Sequence, residues 1–140
     1  VAHCIVYFST SVRLFDQEDI LNILQQSHQH NAQAGITGIL LYMHGHIIQV
    51  VEGEQQAVVA LFKRIEMDPR HKNVACVLNQ SIAERLFAQW RMGYETLTTQ
   101  QFGQIRTMID VDQRLEIPAE ENEPAILKTL KAFYKINHQG

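Results

Sequence analysis

The chain has 140 residues, 46% of them hydrophobic and 19% charged, a balance that suits one globular domain with a sizeable core and excludes a disordered chain. A formal charge of −3 leaves no basic excess to hold a phosphate backbone, which excludes nucleic acid as the expected partner. Two cysteines, Cys4 and Cys76, are too few for a disulfide framework and read as small buried hydrophobes in a reducing compartment. No apolar run approaches the ~20 residues of a membrane span and no leader pattern opens the chain, so a cytoplasmic protein without membrane contact is expected.

His3–Phe8 is a short apolar run and predicts the first strand. Asp16 is placed to cap the first helix, with Glu18 and Asp19 favourable in its first turn. Ile20, Ile23 and Leu24 recur at helical spacing, and Gly35 ends the helix. Ile36–Met43 and His46–Glu52 predict a hairpin around His44-Gly45. A second helix is predicted from Glu54 to Asp68, with Val58, Leu61, Phe62 and Ile65 as its apolar stripe and Pro69 as its stop. Asn73–Leu78 predicts a fourth strand. Trp90–Glu95 predicts a fifth, with Trp90, Met92 and Tyr94 on one face.

The order β-α-β-β-α-β-β is an α+β arrangement, a ferredoxin-like βαββαβ unit with an added fifth strand. Right-handed crossovers put both helices on one face of the sheet. The strands are nevertheless apolar on both sides: Ile5 and Tyr7 oppose Cys4, Val6 and Phe8, and Ile47, Gln49 and Val51 oppose Ile48 and Val50. A sheet with two apolar faces needs a second cover. The tail provides it. Thr98 and Gln101 have capping-box spacing, Phe102, Ile105, Met108 and Ile109 form a stripe, and Ile126, Leu127, Leu130, Phe133 and Tyr134 form another after Pro118 and Pro124. Residues 1–97 thus form the sheet-and-helix domain, and residues 98–140 a helical cap of the same structural unit.

Several polar residues stand in apolar places. Gln49 lies mid-strand between Ile47 and Val51, and an unpartnered buried amide costs about 1–3 kcal/mol. It therefore needs a partner, either within the protein or in a ligand. Tyr7 shares its face with Ile5, and adjacent first and third strands would bring it to Gln49. Ser27 and Asn31 continue the stripe of the first helix, so its inner face turns polar. Arg64 and Asp68 stand one turn apart on the second helix, where an exposed ion pair is the ordinary explanation. Together these residues describe an apolar slot between two helices, edged by a few polar groups, that suits a planar heteroaromatic ligand. No metal set is evident: His44 and His46 flank a turn while His28 and His30 lie elsewhere. Nor is there a phosphate-binding glycine motif or a nucleophile elbow.

The chain also resembles the BLUF family of flavin-using blue-light sensors. The resemblance rests on Tyr7-Phe8-Ser9, Asn31 through Gly38, Leu40-Leu41-Tyr42, Gln49 through Gly53, Arg64-Ile65, Asp68 through His71, Ile82 through Phe87, and Trp90 through Gly93, all in order. Ser81 stands where the family often has Pro, in what reads as a connection. The tail resembles the helical cap of short, stand-alone BLUF proteins.

This resemblance implies a bacterial, cytoplasmic photoreceptor, not an enzyme, that binds FAD noncovalently between the two helices, with FMN or riboflavin as substitutes. Tyr7 would be the electron and proton donor, and Gln49 the amide whose hydrogen bonds rearrange. Asn31 and Arg64 would hold polar edges of the flavin, Asp68 would support the Arg64 end, and Ile23, Leu24 and Ser27 would line the slot. Trp90, Met92 and Ser9 would relay the signal. A homo-oligomer and a downstream protein effector are the expected partners, with no metal. Two other readings stay open, since a fold does not decide its function: a small flavin-dependent enzyme, or a ferredoxin-like interaction module without ligand.

Overall fold

The computed structural model describes residues 2–115 and 125–139. Five strands form one sheet in the order β4-β1-β3-β2-β5, with β1 at Ala2–Ser11, β2 at Thr37–Met43, β3 at His46–Gly53, β4 at His71–Ile82 and β5 at Gly93–Thr96. The first four are antiparallel to their neighbours, and β5 runs parallel to β2. Helices α1 (Gln17–Ala34) and α2 (Gln55–Glu66) follow β1 and β3, while α3 (Thr99–Leu115) and α4 (Ala125–Gln139) follow β5. The α+β, ferredoxin-like expectation with a fifth strand matches this order.

Local chemistry explains the boundaries of α1. The Asp16 carboxylate accepts from Asp19 N–H at 2.8 Å, and Asp19 accepts from Asp16 N–H at 3.0 Å, a reciprocal cap. Gly35 closes the helix in the left-handed region at φ 69°, where glycine carries no Cβ penalty. In α3 the expected box forms too, with Thr98 Oγ1 accepting from Gln101 N–H and Gln101 Oε1 from Thr98 N–H, both at 3.1 Å. Pro118, Pro124 and the side chain of Ile109 lie outside the described residues.

The strands sort their side chains as the alternation predicts. Ile5, Tyr7, Ile47 and Val51 join Ile36, Leu40 and Val58 in one core. Cys4, Val6, Ile48 and Val50 join Phe102, Ile105, Leu127, Leu130 and Tyr134 in the other. So α1 and α2 cover one face and the tail helices cover the second.

Three expectations need correction. First, β4 is longer than Asn73–Leu78, because it pairs with the whole of β1, from Ala2 opposite Ile82 to Ser11 opposite His71. As an edge strand it carries exposed and half-buried side chains, so its apolar pattern is interrupted; Ser81 lies inside it opposite His3, and Cys76 is exposed rather than buried. An irregularity between Phe8 and Thr10 accommodates Asn73, which adopts φ 57°. Second, α2 ends at Glu66, so Asp68 lies beyond the helix; a residue before proline is disfavoured in helical conformation.

Third, Trp90 and Met92 precede β5 and occupy opposite faces of the sheet. The connection 83–92 starts on the tail side with Leu86, Phe87 and Trp90, passes the margin of β2 where Gly38 N–H donates to Trp90 carbonyl at 2.9 Å, and delivers Met92 to the other core. Strand alternation does not apply to a segment that wraps an edge. Next in the chain, Gly93 lies under the Tyr134 ring, where a Cβ would come within 2.5 Å of Tyr134 Oη.

Candidate functional site

A cavity of about 190 Å³ opens between α1 and α2 above β1 and β3. Its floor is set by register: Tyr7 lies opposite Gln49 on the antiparallel pair, with both side chains on the cleft side. Tyr7 Oη donates to Gln49 Oε1, and Gln49 Nε2 donates to Met92 Sδ at 3.3 Å. All three residues are buried. The amide, read from sequence as needing specific partners, therefore uses one end as acceptor and the other as donor.

Burial pushes the Tyr7 phenol well above its ordinary pKa; the Asp68 charge acts in the same direction and Arg70 opposes it. Tyr7 thus stays a neutral hydroxyl with a proton to give. Phe62 packs against its ring at 5.6 Å, and the His71 ring meets it edge-on at 6.0 Å. His71 is itself held on both sides. Its Nε2 lies 2.5 Å from the Ile65 carbonyl, which can only accept, so in the neutral ring Nε2 donates there and Nδ1 accepts from Ser9 Oγ at 2.8 Å. Ser9, expected in the relay, is buried and orients the ring beside Tyr7.

The α1 wall carries Ile23, Ser27 and Asn31, all lining the cavity. Asn31 is 1% exposed, and its Nδ2 donates to the Arg91 carbonyl at 2.5 Å. His28 Nε2 donates to the next carbonyl, that of Met92, at 3.0 Å. Together they tie the end of the 83–92 connection to α1. Leu24 packs into the core behind this wall and does not line the cavity.

The α2 side carries Leu61, Arg64 and Ile65. The expected Arg64–Asp68 pair is replaced by other partners. Arg64 Nη1 donates to His30 Nδ1 at 3.0 Å, which bridges α2 to α1. Asp68, displaced from the helix by Pro69, is held instead by Arg70 at 2.5 Å, and Arg70 Nη1 reaches Gln26 Oε1 on α1 at 3.2 Å. Burial raises the Asp68 carboxyl, but the Arg70 hydrogen bonds and charge outweigh it and hold the group below its ordinary value. Burial, joined by the Arg64 charge, lowers the His30 pKa.

Trp90 lies outside this cavity, against Phe87 at 6.2 Å and Tyr134 at 4.8 Å on the tail side. His30, Arg70, His71 and Gln26 were not singled out individually from the sequence, although Arg70 and His71 fall inside a matching motif. Gln26 and His30 lie on α1 outside its apolar stripe, Arg70 in the turn before β4 and His71 at the first position of β4, where no periodicity marks them. Among the described residues no three His, Cys, Asp or Glu side chains are grouped to share a metal ion, and no described helix is long and apolar enough to cross a membrane.

The donor set fits a flat heterocycle whose rim alternates carbonyl and N–H groups. Asn31 and Gln49 each offer a donor and an acceptor, Tyr7 a hydroxyl, and Arg64 and Arg70 cationic donors toward the mouth. The volume is below the ~300–1,000 Å³ of a pocket that encloses a whole drug-sized ligand, so it suits a ring system with the rest of the molecule directed outward.

Comparison with known proteins agrees. Residues 2–93 match the model of the BLUF family, described as sensors of blue-light using FAD. Photoactivated adenylate cyclase subunit beta of Euglena longa is 37% identical over 89 residues, 63% of this chain and 10% of that protein, and the subunit of Euglena gracilis is 36% identical over the same length. The chain thus spans about a tenth of these curated relatives. Among solved structures, the dark-state BLUF protein BlrB is 31% identical with a TM-score of 0.68, covering 94% of this chain and 96% of its own. The photo-activated state of BlsA is 27% identical with a TM-score of 0.67, covering 98% and 94%. A bacterial light-regulated adenylyl cyclase is 27% identical with a TM-score of 0.67, covering 100% of this chain and 40% of that one. With the family match over residues 2–93 and these likenesses, the chain belongs to the BLUF family of blue-light sensors using FAD.

Proposed function

We propose that this protein is a cytoplasmic blue-light photoreceptor that binds FAD noncovalently between α1 and α2, signals through Tyr7 and Gln49, and passes the signal to a partner protein. The observation that carries this reading is the buried chain Tyr7–Gln49–Met92 on the cleft floor. The flavin, when bound, absorbs the blue light and supplies an excited state strong enough to oxidise a phenol. Asn31 and Arg64 hold its polar edges, Ile23 and Ser27 flank it, and Leu24 backs that wall. Asp68 holds Arg70 beside the mouth. FMN or riboflavin substitute for FAD because the cavity contacts a ring system.

Tyr7 is the group that gives up an electron, and its hydroxyl already points its proton at Gln49 Oε1. Gln49 is the switch, because its two ends are chemically opposite. In the present arrangement Oε1 faces a donor and Nε2 faces a thioether sulfur, which can only accept. Reversing the amide presents an oxygen to that sulfur and abolishes the Met92 bond. The local rearrangement therefore reaches the 83–92 connection without any covalent change.

Residues 1–97 act as the sensor and 98–140 as its helical cap, through which an oligomer contact or protein effector is reached. That the relatives include photoactivated and light-regulated cyclases supports an effector downstream of this module. The chain itself acts as a sensor and not as an enzyme.

The test is an absorption spectrum before and after blue light. The expected protein is yellow, shifts to longer wavelength on illumination and returns in the dark. No flavin in the heat-released supernatant after expression with FAD available, or bound flavin without a light-induced shift, overturns the proposal. Turnover with a reductant in place of the shift would favour the flavin-dependent enzyme.

A further inference from the structure

Glu52 has no part in the scheme above, yet it is 0% exposed. It sits on β3 three residues beyond Gln49, so its side chain points to the opposite face, toward the tail helices. Its Oε1 accepts the Phe87 N–H at 2.7 Å and the Thr37 hydroxyl at 2.9 Å, and its Oε2 accepts the Leu86 N–H at 2.9 Å. Thr37 Oγ1 in turn accepts from Arg85 Nη1 at 3.3 Å. Three donors converge on one side chain, and an ionised carboxylate, acceptor at both oxygens, satisfies all of them.

The positions of those donors matter. Leu86 and Phe87 begin the segment that wraps the edge of β2, and Met92 ends it. Both ends of that segment are therefore tied to β3, at its start by Glu52 and at its end by Gln49. Between the two ties lies Trp90, packed on Tyr134 of α4. If Gln49 releases Met92, the remaining tie to β3 among these contacts is the carboxylate. The carbonyls of Trp90, Arg91 and Met92 are held by Gly38, Asn31 and His28, so with its start anchored as well the segment passes a change at Met92 to the Trp90 side chain; a loose start would let residues 86–89 absorb it.

We infer that Glu52 is a positioning residue of the light response: by clamping the backbone of Leu86 and Phe87, it directs a rearrangement at Gln49 into Trp90 and the tail helix beneath it. This rests on the photoreceptor reading above.

The experiment uses the full chain loaded with FAD and reads two signals, the flavin red shift and the light-induced change in tryptophan emission. Trp90 is the sole tryptophan of the chain, so the second signal reports this segment directly. Glu52→Gln preserves volume but presents an NH₂ group where an N–H or hydroxyl now donates. Flavin content and the red shift should be retained, while the light-induced Trp90 change falls at least about threefold, as expected for a lost buried tie. Thr37→Val, which keeps the carboxylate and removes one of its donors, should reduce that change by a smaller factor; it decides the matter if Glu52→Gln fails to fold. A lower Tm with an undiminished Trp90 change in the folded variants would show a merely structural carboxylate and overturn the inference. Loss of the red shift itself in Glu52→Gln would also overturn it, by making Glu52 part of the photochemical site. A wild-type protein with a red shift but no Trp90 change overturns this inference alone, whereas no red shift in wild type overturns the photoreceptor reading.

Discussion

The two faces of the sheet are built from alternate residues of the same strands, yet they solve different problems. On the cleft face, Tyr7, Gln49, Asn31 and Ser9 are buried polar groups whose partners are long-range side chains or carbonyls. On the tail face, Ile105, Leu127 and Leu130 are fully buried with Val50 and Ile48, and Glu52 is the charged side chain buried among them. The first face holds side-chain hydrogen bonds that the proposed switch would rearrange; the second is close-packed and yields less readily. The 83–92 connection joins the two faces, carrying Met92 on one and Trp90 on the other, and is the route that the proposed signal would take.

The largest expected effect would break this division at the floor of the cleft. Tyr7→Phe and Gln49→Leu each keep roughly the same volume and should retain flavin while abolishing the red-shifted state altogether. Light-minus-dark spectra of the two variants check this, and a normal shift in either would refute the assigned switch.

Leu130→Ala sharpens the comparison from the other face. It should cost about 2–5 kcal/mol of stability, the range for emptying a well-packed aliphatic site, with the spectral shift preserved in the folded fraction. Chemical denaturation and the light-minus-dark spectrum together separate the two effects.

Asn31→Ala should weaken flavin retention, by about 1–3 kcal/mol or about fivefold to 150-fold in affinity. Arg64→Ala should weaken it less, because that guanidinium is exposed. Titration of the apoprotein with FAD gives both values, and unchanged affinity in both would misplace the cleft walls.

Trp90→Ala and Met92→Ala should leave the red shift largely intact and shrink the light-dependent hydrogen exchange of α3 and α4. Identical tail exchange in dark and light in the unmutated protein would remove this route.

The smallest effect concerns Asp68 and Arg70 at the mouth. The Asp68 carboxyl is held below its reference of 3.8, so its pairing stabilises the fold above about that pH and this contribution is lost as pH falls through the lower folded value. For so partly exposed a pair the contribution is at most about 1 kcal/mol. Arg70→Ala should lower the neutral limb of a Tm-against-pH curve by that amount and leave the acid end, where the contribution is already lost, nearly unchanged.

Much of this protein is local chemistry, and the sequence alone determined it. Asp16 and Gly35 mark α1 because a cap needs a particular side chain or a particular φ at one position. Alternation along β1 and β3 assigned Tyr7 and Gln49 to one face, and the ferredoxin-like order made those strands neighbours, so the floor of the site was legible before any coordinates. The tertiary structure decided what local pattern cannot carry. The true length of β4 depends on β1 beside it, and the exposure of Cys76 on its lying at the edge. Asp68 exchanges Arg64 for Arg70 because α2 stops at Glu66, two residues before the end that Pro69 suggested. Trp90 and Met92 share a spacing of two that mimics a strand, but they sit on a segment folded around an edge. Glu52 gave no signal of its own, because a carboxylate beside Gly53 reads as a solvated strand end until Leu86 and Phe87, more than thirty residues away, bring their N–H groups to it. Side-chain direction repeats with the backbone's own period, whereas the partner of a buried polar group is set by which distant segment the closed fold lays against it.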